Sequence, residues 1–191
     1  MFSFANDRVR LRAINMADAE DYVLWYADTK ISRNLSTYGP TSLEFQRNWV
    51  SGLAHGGEPI FAVEAIDRPE SKHIGNVGFY HVDQRSRQAE LGIMIGDRAC
   101  LGKGYGPAAM RLLLEYGFGE LNYHRIYLQV LSFNERAIRS YEKVGFKHEG
   151  RRRQSFYREG QYHDDVQMRI LRPEWDALVS GAQNPQAEEN C

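Results

Sequence analysis

Seven stretches of this chain carry the pattern of a β-strand and four carry that of an amphipathic helix. The first strand, residues 8–14, sets Val9, Leu11 and Ala13 against arginines. Asn15, with Asp18 three residues on, then reads as an N-cap, and Ala19, Tyr22, Val23 and Tyr26 recur at helical spacing, which predicts a helix over 16–28. Residues 29–40 are rich in turn formers and read as a loop. Thr41 or Ser42 caps a second helix carrying Phe45, Trp49 and Leu53, ended by Gly56 and Gly57. Three strands follow at 60–66, 73–82 and 88–97, joined by short polar connections that suit antiparallel neighbours.

The last of these strands runs into Leu101-Gly102-Lys103-Gly104-Tyr105-Gly106, and a helix follows with Ala109, Leu112, Leu113 and Tyr116 on its apolar face, ending near Gly119. Pro107 suits a first helical turn, so Gly106 is the expected N-cap. Residues 125–131 are a further strand. Asn134 caps a helix whose buried side is Ala137, Ile138, Tyr141 and Val144, closed by Gly145. Residues 146–152 and 165–171 read as the last two strands, with a turn at Arg-Glu-Gly-Gln between them. The order β-α-α-β-β-β-α-β-α-β-β predicts an α+β (mixed α/β) architecture, with helices on both faces of a central sheet. One domain over 1–179 and a polar, disordered tail over 180–191 are expected.

The glycine turn is the candidate for chemistry. Glycines at every second position allow positive φ and close approach of a ligand to the backbone. The helix start that follows offers unpaired N–H groups to an anion such as a phosphate, and Lys103 adds a charge. A turn that merely joins strand to helix is the plainer reading. The spacing matches neither a Walker loop nor a dinucleotide-binding fingerprint.

Composition narrows the field. A hydrophobic share of 42%, a charged share of 26% and a net charge of −1 describe an ordinary globular chain without a basic field for nucleic acid. Neither an apolar leader core nor an 18-residue apolar run is present, so no membrane role and a cytoplasmic setting are expected. Cys100 and Cys191 are far apart, and neither they nor the six histidines show metal-ligand spacing, so no metal is expected.

Three segments together carry a resemblance: AELGIMIGDRACLGKGYGPAAM at 89–110, SFNERAIRSYEKVGF at 132–146 and EGRRRQSFYREGQYHDDVQM at 149–168. In their order and spacing they resemble the GNAT superfamily of N-acetyltransferases, nearest the branch holding ribosomal-protein N-terminal and spermidine acetyltransferases, over roughly residues 8 to 175. The resemblance implies a mostly antiparallel sheet of about seven strands, splayed to admit acetyl-CoA. It implies that Leu101, Gly102, Lys103, Gly104, Tyr105 and Gly106 form the pyrophosphate loop, with Leu101 departing from the usual Gln or Arg. Main-chain groups of Ile93, Met94 and Ile95 would meet the pantetheine arm, Asn134 would bond it from the far side, and Arg136 and Arg139 would meet phosphate. Met94 or a neighbour would supply the N–H for the developing oxyanion.

The resemblance further implies direct acetyl transfer to a primary amine, without a covalent enzyme intermediate, and dimerisation is common in the family. Such a reaction needs a group that takes the ammonium proton and one that protonates the leaving thiolate. Glu90 is the candidate base and Tyr141 the candidate acid. The acceptor is a protein N-terminal amine or a small amine such as a polyamine or amino sugar, met by Tyr26, Tyr38, Phe156 and Tyr157 and by Asp28, Glu44 and Glu64. The alternative is a non-catalytic acetyl-CoA-binding sensor or docking module. Arg151, Arg152 and Arg153 read as a solvated edge, and Cys100 has no role in direct transfer.

Overall fold

The computed structural model describes residues 3–37 and 39–183; Tyr38 and the expected tail from 184 onward lie outside the described residues. Seven strands form one sheet: β1 (Val9–Ala13), β2 (Ile60–Ala65), β3 (Lys72–Asp83), β4 (Gln88–Ile95), β5 (Arg125–Leu131), β6 (Lys147–Arg158) and β7 (Gln161–Leu171). The helices are α1 (Ala19–Ala27), α2 (Thr29–Ser32), α3 (Leu43–Gly56), α4 (Tyr105–Gly119), α5 (Glu135–Val144) and α6 (Arg172–Gln183). The spatial order is β1-β2-β3-β4-β5-β7-β6, and every neighbouring pair is antiparallel except β4 and β5.

Alternation along β4 divides the core. Ala89 and Leu91 face the larger apolar cluster, with Leu113 and Met110 of α4, Val144 of α5 and Trp175 of α6. Met94 faces the other way, into a smaller cluster with Tyr22 and Trp25 of α1 and Ile31 of α2. The sheet is thus covered on both sides. Gly96 permits the second layer, because a Cβ there would stand 2.0 Å from Cδ2 of the Trp25 indole. Arg12 ties the start of α1 to the sheet by donating to both Asp18 oxygens, each at 2.8 Å. Asp18 also receives the Asn15 N–H at 2.8 Å.

Several expected boundaries move. The helix expected over 16–28 is a 3₁₀ turn (Met16–Asp18) capped by Asn15, followed by α1. Residues 29–40 are not all loop: the Asp28 side chain caps the Lys30 N–H and starts α2. Ser42, not Thr41, caps α3. The cap of α4 is Gly104, not Gly106, because Gly102 and Gly104 both take positive φ (+72° and +86°) and close the turn early. Pro107 falls at the third helical position, where a missing N–H still costs no intrahelical bond. β6 and β7 are longer than their apolar patterns, meeting at a tight turn where Glu159 and Gly160 have φ of +53° and +81°. Helix α6 extends into the segment read as tail, with Trp175 stacked on Phe118 at a centroid distance of 5.8 Å.

Candidate functional site: a forked sheet with a glycine-lined mouth

Strands β4 and β5 pair over only three positions, Gln88–Arg125, Ala89–Ile126 and Glu90–Tyr127. Beyond them β4 stays with β3 as far as Ile95, while β5 stays with β7 as far as Leu131. The sheet therefore forks after Glu90. The N–H of Gly96 donates to the Ile74 carbonyl at 2.8 Å, which fixes the direction of every main-chain group on β4. Even-numbered residues, Met94 included, spend their N–H and C=O on β3, whereas those of Ile93 and Ile95 point into the fork. Of the three residues expected to offer backbone groups to a ligand, Met94 is thus the exception. Its side chain packs with Trp25.

A cavity of about 900 Å³ runs through the fork. At one end Leu101, Gly102, Gly104, Tyr105 and Gly106 line it, and Lys103 does not: its side chain is exposed. Leu101 packs against the Trp25 cluster, which explains an apolar residue at this position. The Tyr105 ring is buried, and its hydroxyl donates to Asp67 at 2.7 Å while Arg8 stacks over the ring at 4.8 Å. That side chain pins the turn to the β2–β3 connection, leaving the turn only its backbone to offer. Across the mouth stand Arg136, Arg139 and Lys143, spaced three, four and seven residues apart on α5 and so on one face. Arg139 shares its charge with Glu135 at 3.1 Å. Lys143 escaped the sequence reading; the i, i+3, i+7 spacing from Arg136 was the signal available.

Further in, the cavity is bordered by Glu90 on one face of the sheet and by Tyr141 on the other. Glu90 shares its strand face with Gly92 and Met94, and an oxygen of its carboxylate lies 2.8 Å from His81 Nδ1. His81 holds a positive φ of +49° beside a register shift in β3, and its N–H donates to Glu58 at 3.0 Å, so the bulge aims the imidazole. His81 was not anticipated. Tyr141 packs edge-on to Phe146 at 6.0 Å. Burial pushes its phenol up to about 12. Asn134 also lines the cavity; its Oδ1 accepts the Ala137 N–H at 3.3 Å as the cap of α5, which leaves its NH₂ group over.

The far end is walled by α1, α2, α3 and the residues between α2 and α3. Tyr22, Tyr26, Trp49, Tyr80 and Phe156 line it. Of the aromatics expected there, Tyr26 and Phe156 are present, Tyr38 lies outside the described residues, and Tyr157 is exposed against Tyr162. None of the three expected carboxylates is in the cavity. Glu64 pairs with Arg10 and Arg12, Asp28 caps α2 and meets Arg98, and Glu44 is exposed on α3. The arginine run is exposed, as a solvated edge would be; within it Arg151 pairs with Asp164, and Arg152 pairs with Asp165 and also borders the cavity.

The wall is held from across the sheet. Arg158, at the tip of β6, donates to the carbonyls of Ser32, Leu35 and Thr37 at 3.0, 3.0 and 2.9 Å. Arg158→Met is expected to weaken ligand binding at this far end of the cavity about five- to tenfold and to leave binding at the glycine-lined end unchanged, checked by calorimetry. Equal losses in both would place Arg158 in general folding instead.

Residues 8–147 match the family model described as acetyltransferase (GNAT) domain. The chain belongs to the GNAT acetyltransferase family. Among GNAT relatives, it is 33% identical over 175 residues to the spermidine N(1)-acetyltransferase of Vibrio cholerae, covering 89% of this chain and 96% of that protein. It is 35% identical over 102 residues to YdaF of Bacillus subtilis, whose name assigns it provisionally to ribosomal N-acetylation. That match spans 53% of this chain and just over half, 55%, of YdaF. The crystal structure of the Vibrio cholerae spermidine N-acetyltransferase in complex with CoA and spermine superposes with a TM-score of 0.80 at 27% identity, over 89% of this chain and 99% of that one. Among the described residues no helix is long and apolar enough to cross a membrane.

Proposed function

We propose that this GNAT protein transfers the acetyl group of acetyl-CoA directly to a primary amine. The observation that carries the reading is the fork. The free main-chain groups of Ile93 and Ile95 would take the pantetheine arm as a strand takes its neighbour, and Gly102–Gly106 with Arg136, Arg139 and Lys143 would hold the phosphates. An acyl group delivered there would lie between Glu90 and Tyr141. That the Vibrio cholerae relative was crystallised in complex with CoA and spermine supports a coenzyme and an amine as the two ligands of this fold.

In this reading Glu90, positioned by His81, receives the proton of the acceptor ammonium, directly or through a water. The cleft-facing N–H of Ile93 or Ile95 stabilises charge on the carbonyl oxygen. Tyr141 gives its proton to the departing sulfur. Asn134 would turn its spare NH₂ to the pantetheine amides while remaining a helix cap. A non-catalytic coenzyme sensor would leave the Glu90–His81 pair and the cavity-facing Tyr141 without a task.

The test is release of free thiol from acetyl-CoA across a panel of primary amines, with the acetylated product identified by mass. Glu90→Gln is expected to lower kcat about tenfold and to flatten the rise of rate with pH, since an amide cannot accept the proton. Coenzyme binding without thiol release on any amine would retire the transferase reading in favour of the sensor.

A further inference from the structure

Acetyl transfer to an ammonium leaves a proton to be disposed of. The ammonium and the thioester become an amide and a thiol, and one H⁺ per turnover must reach water. In the reading above the acceptor nitrogen gives its first proton to Glu90. Its second reaches sulfur as Tyr141 gives up a proton and takes one back from the nitrogen. The proton that must leave is therefore the one on Glu90. That side chain is only 18% exposed and borders a cavity that the substrates themselves would fill.

The His81 side chain reaches from this carboxylate into solvent and is 76% exposed. Its Nδ1 lies 2.8 Å from a Glu90 oxygen, and its Nε2 has no protein partner among the described residues. Strand alternation does not account for the contact. Tyr80 is the register partner of Glu90 and shares its sheet face, so His81, next along β3, should point the other way. A φ of +49°, at the register shift between Tyr80 and Asp83, turns it back. The Glu58 carboxylate holds that turn by receiving the His81 main-chain N–H at 3.0 Å. A positive φ is unfavourable for a residue with a side chain, though His and Asn tolerate it best. The Glu90–His81 contact is thus kept against a conformational cost.

We propose that His81 carries the proton of Glu90 to bulk water, an outlet that works while both substrates fill the cavity. The Glu90 O–H bond breaks as an N–H bond forms at Nδ1 of the neutral imidazole. The imidazolium then turns outward, gives that proton to water or buffer, and returns with Nδ1 bare. Exposed side chains change rotamer far faster than an enzyme turns over, so the swing does not limit the cycle. This rests on the transferase reading above and gives His81 a task beyond aligning the base.

The experiment uses the full chain with acetyl-CoA in dilute buffer, with and without added imidazole. Spermidine and neutral tripeptide amides head the panel of amines, and the amine that the parent turns over fastest is used. His81→Asn keeps an N–H for the Glu90 carboxylate near the place of Nδ1 and suits the positive φ, but it cannot take up a proton. It is expected to lower kcat about tenfold, as His81→Ala does, with the acetyl-CoA Kd and the Tm unchanged. Imidazole is expected to restore about half of the parent kcat to His81→Ala, whose missing ring leaves room at the surface, and to change the parent less than about twofold. A His81→Asn enzyme within about twofold of the parent overturns the proposal and leaves His81 as an aligning residue alone. So does a His81→Ala loss that imidazole does not relieve. A parent that releases no thiol on any amine retires the transferase reading and the outlet together.

Discussion

Tyr141→Phe is expected to lower kcat about a hundredfold while the Kd for acetyl-CoA stays within twofold. The substitution removes one oxygen and keeps the ring that packs against Phe146. The hydroxyl makes no hydrogen bond among the described residues, so its loss leaves no protein group unpartnered. Burial raises the phenol to about 12, so near neutral pH it keeps its proton and stands as the acid form that a departing thiolate needs. A hundredfold loss corresponds to about 2.7 kcal/mol of transition-state stabilisation, within the range of a positioned general acid. Because the group would act only as the thiolate forms, the loss should fall on kcat and not on ground-state binding. Steady-state rates with calorimetry for the coenzyme decide it. Activity within twofold of the parent would reduce Tyr141 to a packing residue.

Gly96→Ala should be strongly damaging to the packing between the sheet and α1. The new Cβ would stand 2.0, 2.3 and 2.3 Å from three atoms of the Trp25 indole, a ring wedged between the sheet and Tyr22. A buried indole on a helix cannot swing aside as a lysine tip would, so α1 or β4 must shift. Overpacking of this kind costs about 1–3 kcal/mol. For a chain of this size that is a fall of about 2–12 °C in Tm by calorimetry. A Tm within 1 °C of the parent would mean that Trp25 does not rest on Gly96.

Much of this architecture was written plainly in the chain. Strands with one buried face announce themselves by alternation, and the boundaries of β5 matched residue for residue. Caps were equally clear where a side chain does the capping, as at Asn15 and Asn134, or where glycine ends the helix, as at Gly57 and Gly145. What escaped has physical causes. β6 is an edge strand exposed along most of its length, so there is no apolar rhythm to read. Helix α2 is a single turn set by the Asp28 cap, too short for a period to emerge. The cap of α4 depended on which of three glycines turns left-handed, which composition cannot tell.

The site divides along the same line. Glu90, Asn134, Tyr141 and the glycine turn are local to motifs, and the cavity brings them together. His81 comes from the neighbouring strand β3, where a bulge aims it, and nothing in its own stretch marks it. Asp28, Glu44 and Glu64 looked suited to a cation, yet two of them are consumed by caps and arginines, and the third stands in solvent. A carboxylate's availability is set by its neighbours in space, which a linear reading does not contain.

The three-rung junction between β4 and β5 has a mechanical meaning. Strands β1 to β4 form one plate and β5 to β7 another, and among the described residues the strand pairing across the break is limited to the rungs from Gln88 to Glu90, with the Arg87 carbonyl receiving the His124 N–H just beyond them. A molecule that laces onto Ile93 and Ile95 acts as a splint, and the tightness of its grip and the stiffness it lends the two plates are a single free energy viewed from opposite sides. Substrate capture and the setting of the catalytic groups would then be one event.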